Sequence, residues 1–305
     1  MNLSQLSPAE LAEGLRGPGI NLCTGPFTTR IRSPIEYVAE GMALLYGNNR
    51  IAGPEEFVDF HVAIEAPGGI RRWWRRQALF TLDGTTPFAP LPYDEALPLL
   101  EWGLNRAVTS HAHTYLVLHA GVIERDGWVA LLPGRPGAGK STLCAYLMFN
   151  GWRLLSDELA LVSLEDGLVT PLARPVSMKN QSIEVIRERV PEAQISRVSG
   201  NTVKGAVALL KVEAGSVARV AEQARPAWVI FPRFQPAAEA ELAPRSKAQA
   251  LLELGNNAFN YSVHGLRGFR CLADLVERCG CYDFTYSELE EAREIFARLA
   301  PPEAS

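Results

Sequence analysis

The sequence predicts an α/β protein, a mixed sheet with helices, preceded by a small α+β N-terminal region over residues 1–108. Three observations point there. Residues 131–143, LLPGRPGAGKSTL, join a short apolar run to a helix through a glycine-rich turn. From residue 113 onward, apolar runs of strand length alternate with segments opened by helix-capping residues. The 305 residues, 47% of them hydrophobic, suffice for a sizeable core in one large or two ordinary domains.

Taken in order, Ser7-Pro8-Ala9-Glu10 sets a capping serine three residues before a glutamate and a proline at the first helical position. A short helix therefore starts there, ended by Gly14 and the Gly17-Pro18-Gly19 cluster. Phe27–Arg32 alternates like a strand. Ser33-Pro34-Ile35-Glu36 repeats the capping pattern ahead of a helix with apolar Ile35, Val38, Met42 and Leu45, stopping at Gly47-Asn48. Residues 57–65 and 73–82 read as strands joined by a Pro67-Gly68-Gly69 turn. A proline-rich connector over 86–92 leads into a helix over 94–108. Residues 113–124 form a strand, and Asp126-Gly127 is a hairpin signal that returns the chain as strand 128–132. The helix after the glycine turn covers 142–149, Gly151 caps it, and 153–156 is a short strand. Glu165-Asp166-Gly167 closes a hairpin between 159–164 and 168–172. Residues 174–180 read as a polar loop before a helix over 182–189, and 201–204 as a turn before strand 206–210. Strand 228–231 follows, then a helix capped by Ser246 to about 259 and another over 266–279. The last helix is capped by Ser287 with Glu290 and runs to 299, leaving 301–305 as a frayed tail.

Composition narrows the class. Lys+Arg 30 against Asp+Glu 34 gives a net charge of −4, which argues against a dedicated nucleic-acid binder. Arg71-Arg72-Trp73-Trp74-Arg75-Arg76 interleaves basic and aromatic residues, but on a strand it sets Arg and Trp on both faces, which in a net acidic chain suits an exposed hairpin or a domain interface, with phosphate or acidic-substrate contact as the lesser alternative. Five cysteines, an odd number without framework spacing, point to reduced thiols, with Cys271, Cys279 and Cys281 read as buried. His111 and His113 share a strand face without partners at metal spacing. No run approaches the roughly 18 apolar residues of a membrane span, and no basic leader precedes an apolar core, so the expectation is a cytoplasmic protein with no membrane partner.

The glycine turn fits G-x-x-x-x-G-K-[ST] at Gly134, Gly139, Lys140 and Ser141. In that pattern the backbone N–H groups of Gly134, Arg135, Pro136, Gly137, Ala138 and Gly139, proline excepted, turn around an anionic phosphate. Lys140 reaches the β- and γ-phosphates, and the Ser141 hydroxyl, followed by Thr142, is placed to ligate Mg²⁺. The following helix aims the positive end of its dipole at the same place. After it, strand 153–156 delivers Asp157 and Glu158 at its carboxyl edge, where open α/β sheets bind ligands. Carboxylates there can hold Mg²⁺ or take a proton from a hydroxyl. Arg174 and Lys179 are further candidates for phosphate or substrate contact, or solvated charges.

The sequence LHAGVIERDGWVALLPGRPGAGKSTL leading into GWRLLSDELALV resembles the catalytic domain of HPr kinase/phosphorylase, over about residues 119–162. RPVSMKNQSIEVI at 174–186, AFNYSVHGLRGF at 258–269 and CYDFTYSEL at 281–289 extend the likeness to the branch called HprK-related kinase A. The resemblance implies a nucleotide-binding core of that type over 109–300, using ATP and Mg²⁺. It implies phosphate and metal binding by Gly134, Gly137, Gly139, Lys140, Ser141 and Thr142, Asp157 as general base, and His119 near the transferred phosphate; read from the residues alone, His119 is equally a strand histidine packed under the loop. Glu158 stands where the family has a second Asp. The family's hydrophobic-Glu-hydrophobic-Arg-Gly signature is not found downstream, so HPr as substrate and reverse phosphorolysis are not carried over. Parent-family enzymes are hexamers, which allows a homo-oligomer.

The expected function is an ATP-dependent kinase that transfers the γ-phosphoryl group to a hydroxyl of a protein, a peptide or a small metabolite. The alternative is a nucleotide-gated binding or scaffold protein without an acceptor.

Overall fold

The computed structural model describes residues 1–68 and 76–301. The chain divides into two compact units. The first takes in residues 1–108, 174–187 and 191–218; the second takes in 109–173, 188–190 and the chain from 219 onward. The stretch 174–218, expected in the catalytic domain, therefore clusters largely with the N-terminal residues. Among the described residues no helix is long and apolar enough to cross a membrane.

The first unit opens as its caps dictate. In α1 (Pro8–Arg16) the Ser7 hydroxyl accepts from Glu10 N at 3.2 Å while Glu10 accepts from Ser7 N at 2.7 Å. Gly14 does not end this helix: it lies inside, where a Cβ would meet Ile20 Cδ1 at 2.6 Å. Strands β1 (Ile20–Thr24) and β2 (Phe27–Arg32) form a hairpin, the first of which the sequence reading lacked. Ser33 is not a helix cap. Its hydroxyl donates to Ile64 O at 2.8 Å and accepts from Ile35 N at 3.1 Å, so α2 (Glu36–Tyr46) starts without a side-chain cap. Strands β3 (Phe60–Glu65), β4 (Gln77–Leu82) and β5 (Leu91–Pro92) complete a mixed sheet in the order β1-β2-β3-β4-β5, with only β2 and β3 parallel. The Arg/Trp run at 71–75, Gly69 of the expected turn and tail residues 302–305 lie outside the described residues. Helix α3 (Ala96–His111) follows.

The second unit starts with β6 (Tyr115–Arg125) and β7 (Trp128–Pro133), an antiparallel hairpin turned by Asp126 (φ 54°) and Gly127 (φ 85°). Helix α4 (Lys140–Met148) leads to β8 (Arg153–Ser156), β9 (Leu159–Ser163) and β10 (Val169–Thr170). Both β8 and β9 pair with β6, one after the other along the same edge.

The chain then supplies the first unit with β11 (Val176–Lys179), most of α5 (Gln181–Arg189, to residue 187), β12 (Ser199–Thr202), β13 (Gly205–Leu210) and α6 (Ala214–Ala218). Residues 176–179 are thus a strand paired with β13 rather than a polar loop. Arg174 is buried, 3.8 Å from Glu101 and hydrogen-bonded to Asn105, which fits neither a solvated charge nor an open phosphate contact.

Back in the second unit, β14 (Arg225–Phe234), β15 (Glu241–Pro244), α7 (Lys247–Asn256), α8 (Tyr261–Arg278), β16 (Gly280–Tyr286) and α9 (Leu289–Ala297) close the fold. The eight-stranded sheet runs β10-β9-β6-β7-β14-β16-β15 with β8 added on β6, and β7, β14 and β16 are parallel neighbours. One face buries Leu118, Ala120, Val122 and Val229 against Leu254, Leu272 and Leu275 of α7 and α8. The other carries α4, where Cys144 packs so closely that a Cβ on Gly121 would meet its sulfur at 2.5 Å.

Candidate functional site

Residues 134–139 leave the end of β7 and enter α4. Their glycines adopt conformations that L side chains resist: φ is 149° at Gly134, 85° at Gly137 and 90° at Gly139. Gly139 also has no room, since a Cβ there would lie 2.3 Å from the Tyr286 hydroxyl. Arg135, Pro136 and Gly137 are exposed, Ala138 is half-buried, and Ser141 and Thr142 are half-buried on the first turn of α4. Lys140 is buried and bends back across the loop, its Nζ donating to Gly134 O at 2.6 Å and Arg135 O at 3.2 Å.

The loop is fastened from outside itself. Phe234 N donates to Ala138 O at 3.1 Å and the Tyr286 hydroxyl to Gly139 O at 3.1 Å. These residues end β14 and β16, so the loop rests on the carboxyl ends of three adjacent parallel strands, the usual ligand side of an open α/β sheet.

Asp157 reaches this place through an irregularity. Strand β8 pairs Leu154 with Ile123 and Ser156 with Val122, leaving Leu155 as an extra, bulged residue. Side chains alternate along a strand, so one extra residue moves every later side chain to the other face. Leu155 joins the α7/α8 side, and Asp157, just past the strand end, sets its backbone oxygen 3.7 Å from a Cβ built on Gly121 and its carboxylate within electrostatic reach of Cys144 on α4. Its charge acts on Cys144: burial pushes that thiol well above the ordinary range, the Asp157 carboxylate adds to the rise, and Lys140 opposes it. Lys140, Cys144 and Asp157 thus share one electrostatic neighbourhood. The bend after Ser156 is held by Leu159 N donating to the Ser156 hydroxyl at 3.1 Å.

Register fixes the level. Ala120 pairs with Pro133 on one side and its N donates to Glu158 O at 3.2 Å on the other. With strands about 4.8 Å apart, the acidic pair stands two strand spacings, about 10 Å, from the root of the loop. Glu158 is half-buried. His119 shares the α4 face with Gly121, two residues along β6, and its half-buried ring meets Phe259 edge-on at 5.8 Å.

The structure therefore brings Gly134 to Thr142, His119 and Asp157 to one side of one sheet, with Glu158 next in chain. Arg174 and Lys179 belong to the first unit. Sequence reasoning missed Tyr286 and Phe234, whose places depend on parallel pairing between distant strands. Burial raises the Tyr286 phenol above its usual range, with Cys144 adding to the effect. Compared with models of known families the chain matches none, and no curated protein matches it.

Proposed function

We propose that the second unit is an ATP-dependent kinase of the HPr kinase/phosphorylase superfamily, nearest the HprK-related kinase A branch, transferring a γ-phosphoryl group to a hydroxyl. The observation that carries this reading is the bulge at Leu155, which turns a buried carboxylate toward the helix whose first residue is the loop lysine. A bulge costs sheet regularity, and such irregularities concentrate beside active sites.

The residues fit a polyphosphate. Nothing lies within 4 Å of a Cβ built on Gly137, so the outer side of the loop is open to a ligand. Lys140 is already held by two loop carbonyls and needs only to swing outward to meet an anion. Loop amides and the first turn of α4 supply donors without intrahelical partners. Among the described residues no group of three or more His, Cys, Asp or Glu is arranged to hold a metal. Mg²⁺ would therefore take few protein oxygens, from Ser141, Asp157 and Glu158, and complete its shell with phosphate and water, as this ion commonly does. When bound, Mg²⁺ supplies charge neutralisation at the phosphate oxygens. Asp157 accepts the proton of the acceptor hydroxyl, Lys140 balances the phosphoryl charge, and His119 lines the acceptor side.

The test is a pair of substitutions. Lys140→Ala should weaken ATP binding in calorimetry by tenfold or more, an order-of-magnitude expectation for one charged phosphate contact. Asp157→Asn should leave that binding intact and lower phosphotransfer to acceptors in a cell extract by about 10²–10⁴-fold. Label appearing only as free phosphate would favour the acceptor-less nucleotide switch, and undiminished transfer by Asp157→Asn would remove this residue from its role.

A further inference from the structure

Helix α8 opens with a surface the proposed chemistry does not use. Val263 is 65% exposed, Leu266 63% and Phe269 43%, and Phe259, just ahead of the helix, is 51% exposed. The opposite side of the helix buries Gly268, Leu272, Leu275 and Val276. Gly265, at φ 51° and ψ −126°, breaks the helix between Val263 and Leu266, a conformation open to glycine. Exposed apolar side chains grouped this way mark a contact surface, whereas scattered ones do not.

The charges within it are of one sign. Arg267 and Arg270 are exposed on the same stretch, and residues 254–273 contain no Asp or Glu. Among the described residues neither arginine has a carboxylate at salt-bridge distance. Net charge over the whole chain is −4, so this positive apolar face stands apart from the average surface. A symmetric contact with a second copy would lay the same patch on itself and bring like charges together, which disfavours self-association here.

We propose that the face formed by Phe259, Val263, Leu266, Arg267, Phe269 and Arg270 docks a polypeptide segment that is apolar on one side and acidic on the other. The apolar side covers the exposed Val, Leu and Phe, and the carboxylates meet the two guanidiniums, which bind them in bidentate fashion. The face begins where Phe259 touches His119, so a docked segment lies next to the candidate site. The proposal does not depend on nucleotide binding by the loop.

A fluorescein-labelled peptide with Leu and Phe on one helical face and Glu and Asp on the other is the probe, read by anisotropy against the full chain. Binding is expected, with roughly tenfold weakening in Arg267→Glu/Arg270→Glu and loss in Val263→Asp/Leu266→Asp. Phe57→Asp, at an exposed site in the first unit, should bind as the parent does. Because all these positions are exposed, unchanged thermal midpoints separate lost docking from lost fold. Failure of the acidic peptide to bind, or equal binding of its Lys/Arg counterpart, overturns the proposal. So would capture by anionic phospholipid vesicles in place of the peptide, or concentration-dependent self-association abolished by Val263→Asp.

Discussion

The β6–β7 hairpin has two ends, and charge is handled differently at each. Near the Asp126-Gly127 turn, buried Glu124 accepts from Arg153 Nε and from Gly127 N, both at 2.5 Å. Arg153 then donates to Arg219 O at 2.9 Å and Glu222 O at 3.0 Å. The two buried charges there, Glu124 and Arg153, answer each other inside the fold. At the level of Ala120 and Pro133, a buried lysine rests on backbone carbonyls beside an exposed glycine loop, and a buried carboxylate is aimed at the same helix. Buried charge alone therefore does not distinguish a site from a brace. What separates the two ends is the exposed glycine backbone that lies alongside the second, the feature on which the proposed function rests.

The largest effect that would sharpen this contrast is at the brace. Glu124→Ala leaves Arg153 buried without its carboxylate and should destabilise the protein by about 3–5 kcal/mol, measured by urea unfolding, while the ATP affinity proposed for the folded protein should not change. An unaltered unfolding midpoint would break the comparison at that end.

At the other end, Gly139→Ala places a Cβ at φ 90° against the Tyr286 hydroxyl. Strain of about 1–3 kcal/mol is expected, which under the proposed function appears mainly as weaker ATP binding in calorimetry. Equal affinity in this variant would mean the loop does not need its observed shape.

The smallest effect belongs to Tyr286→Phe, which removes one hydrogen bond to the loop and should cost about 1 kcal/mol. Its pH dependence has a definite sign. Burial favours the neutral phenol, so the tyrosine's contribution is complete below its unfolded value of about 10 and declines as pH rises past it. Parent and variant should therefore differ by a constant amount in unfolding free energy below about pH 10 and converge or cross above it.

Local signals were legible in the sequence. The Ser7 cap, the Asp126-Gly127 hairpin and the glycine loop with its flanking strand and helix rest on residues within one or two turns of each other. The Ser33 motif misled because a tertiary partner, Ile64 O, took the hydroxyl that a helix start would have used. Strand β16 was missed because its seven residues, GCYDFTY, pair in parallel with β14 across two intervening helices and another strand. The place of Asp157 after the loop helix was legible, but the face it takes was not, since a one-residue bulge leaves no compositional mark. Assignment of 176–179 to a polar loop failed for a similar reason: its pairing partner, β13, lies beyond a helix and another strand.

The Tyr286 clasp also bears on how the molecule is made. Its hydroxyl meets a carbonyl 147 residues earlier in the chain, so a polypeptide emerging from the ribosome carries an unfastened glycine loop until the last parallel strand has been added. Contacts so distant in sequence form late. A nucleotide that grips only the fastened loop would reward completed synthesis and stabilise finished chains over partial ones.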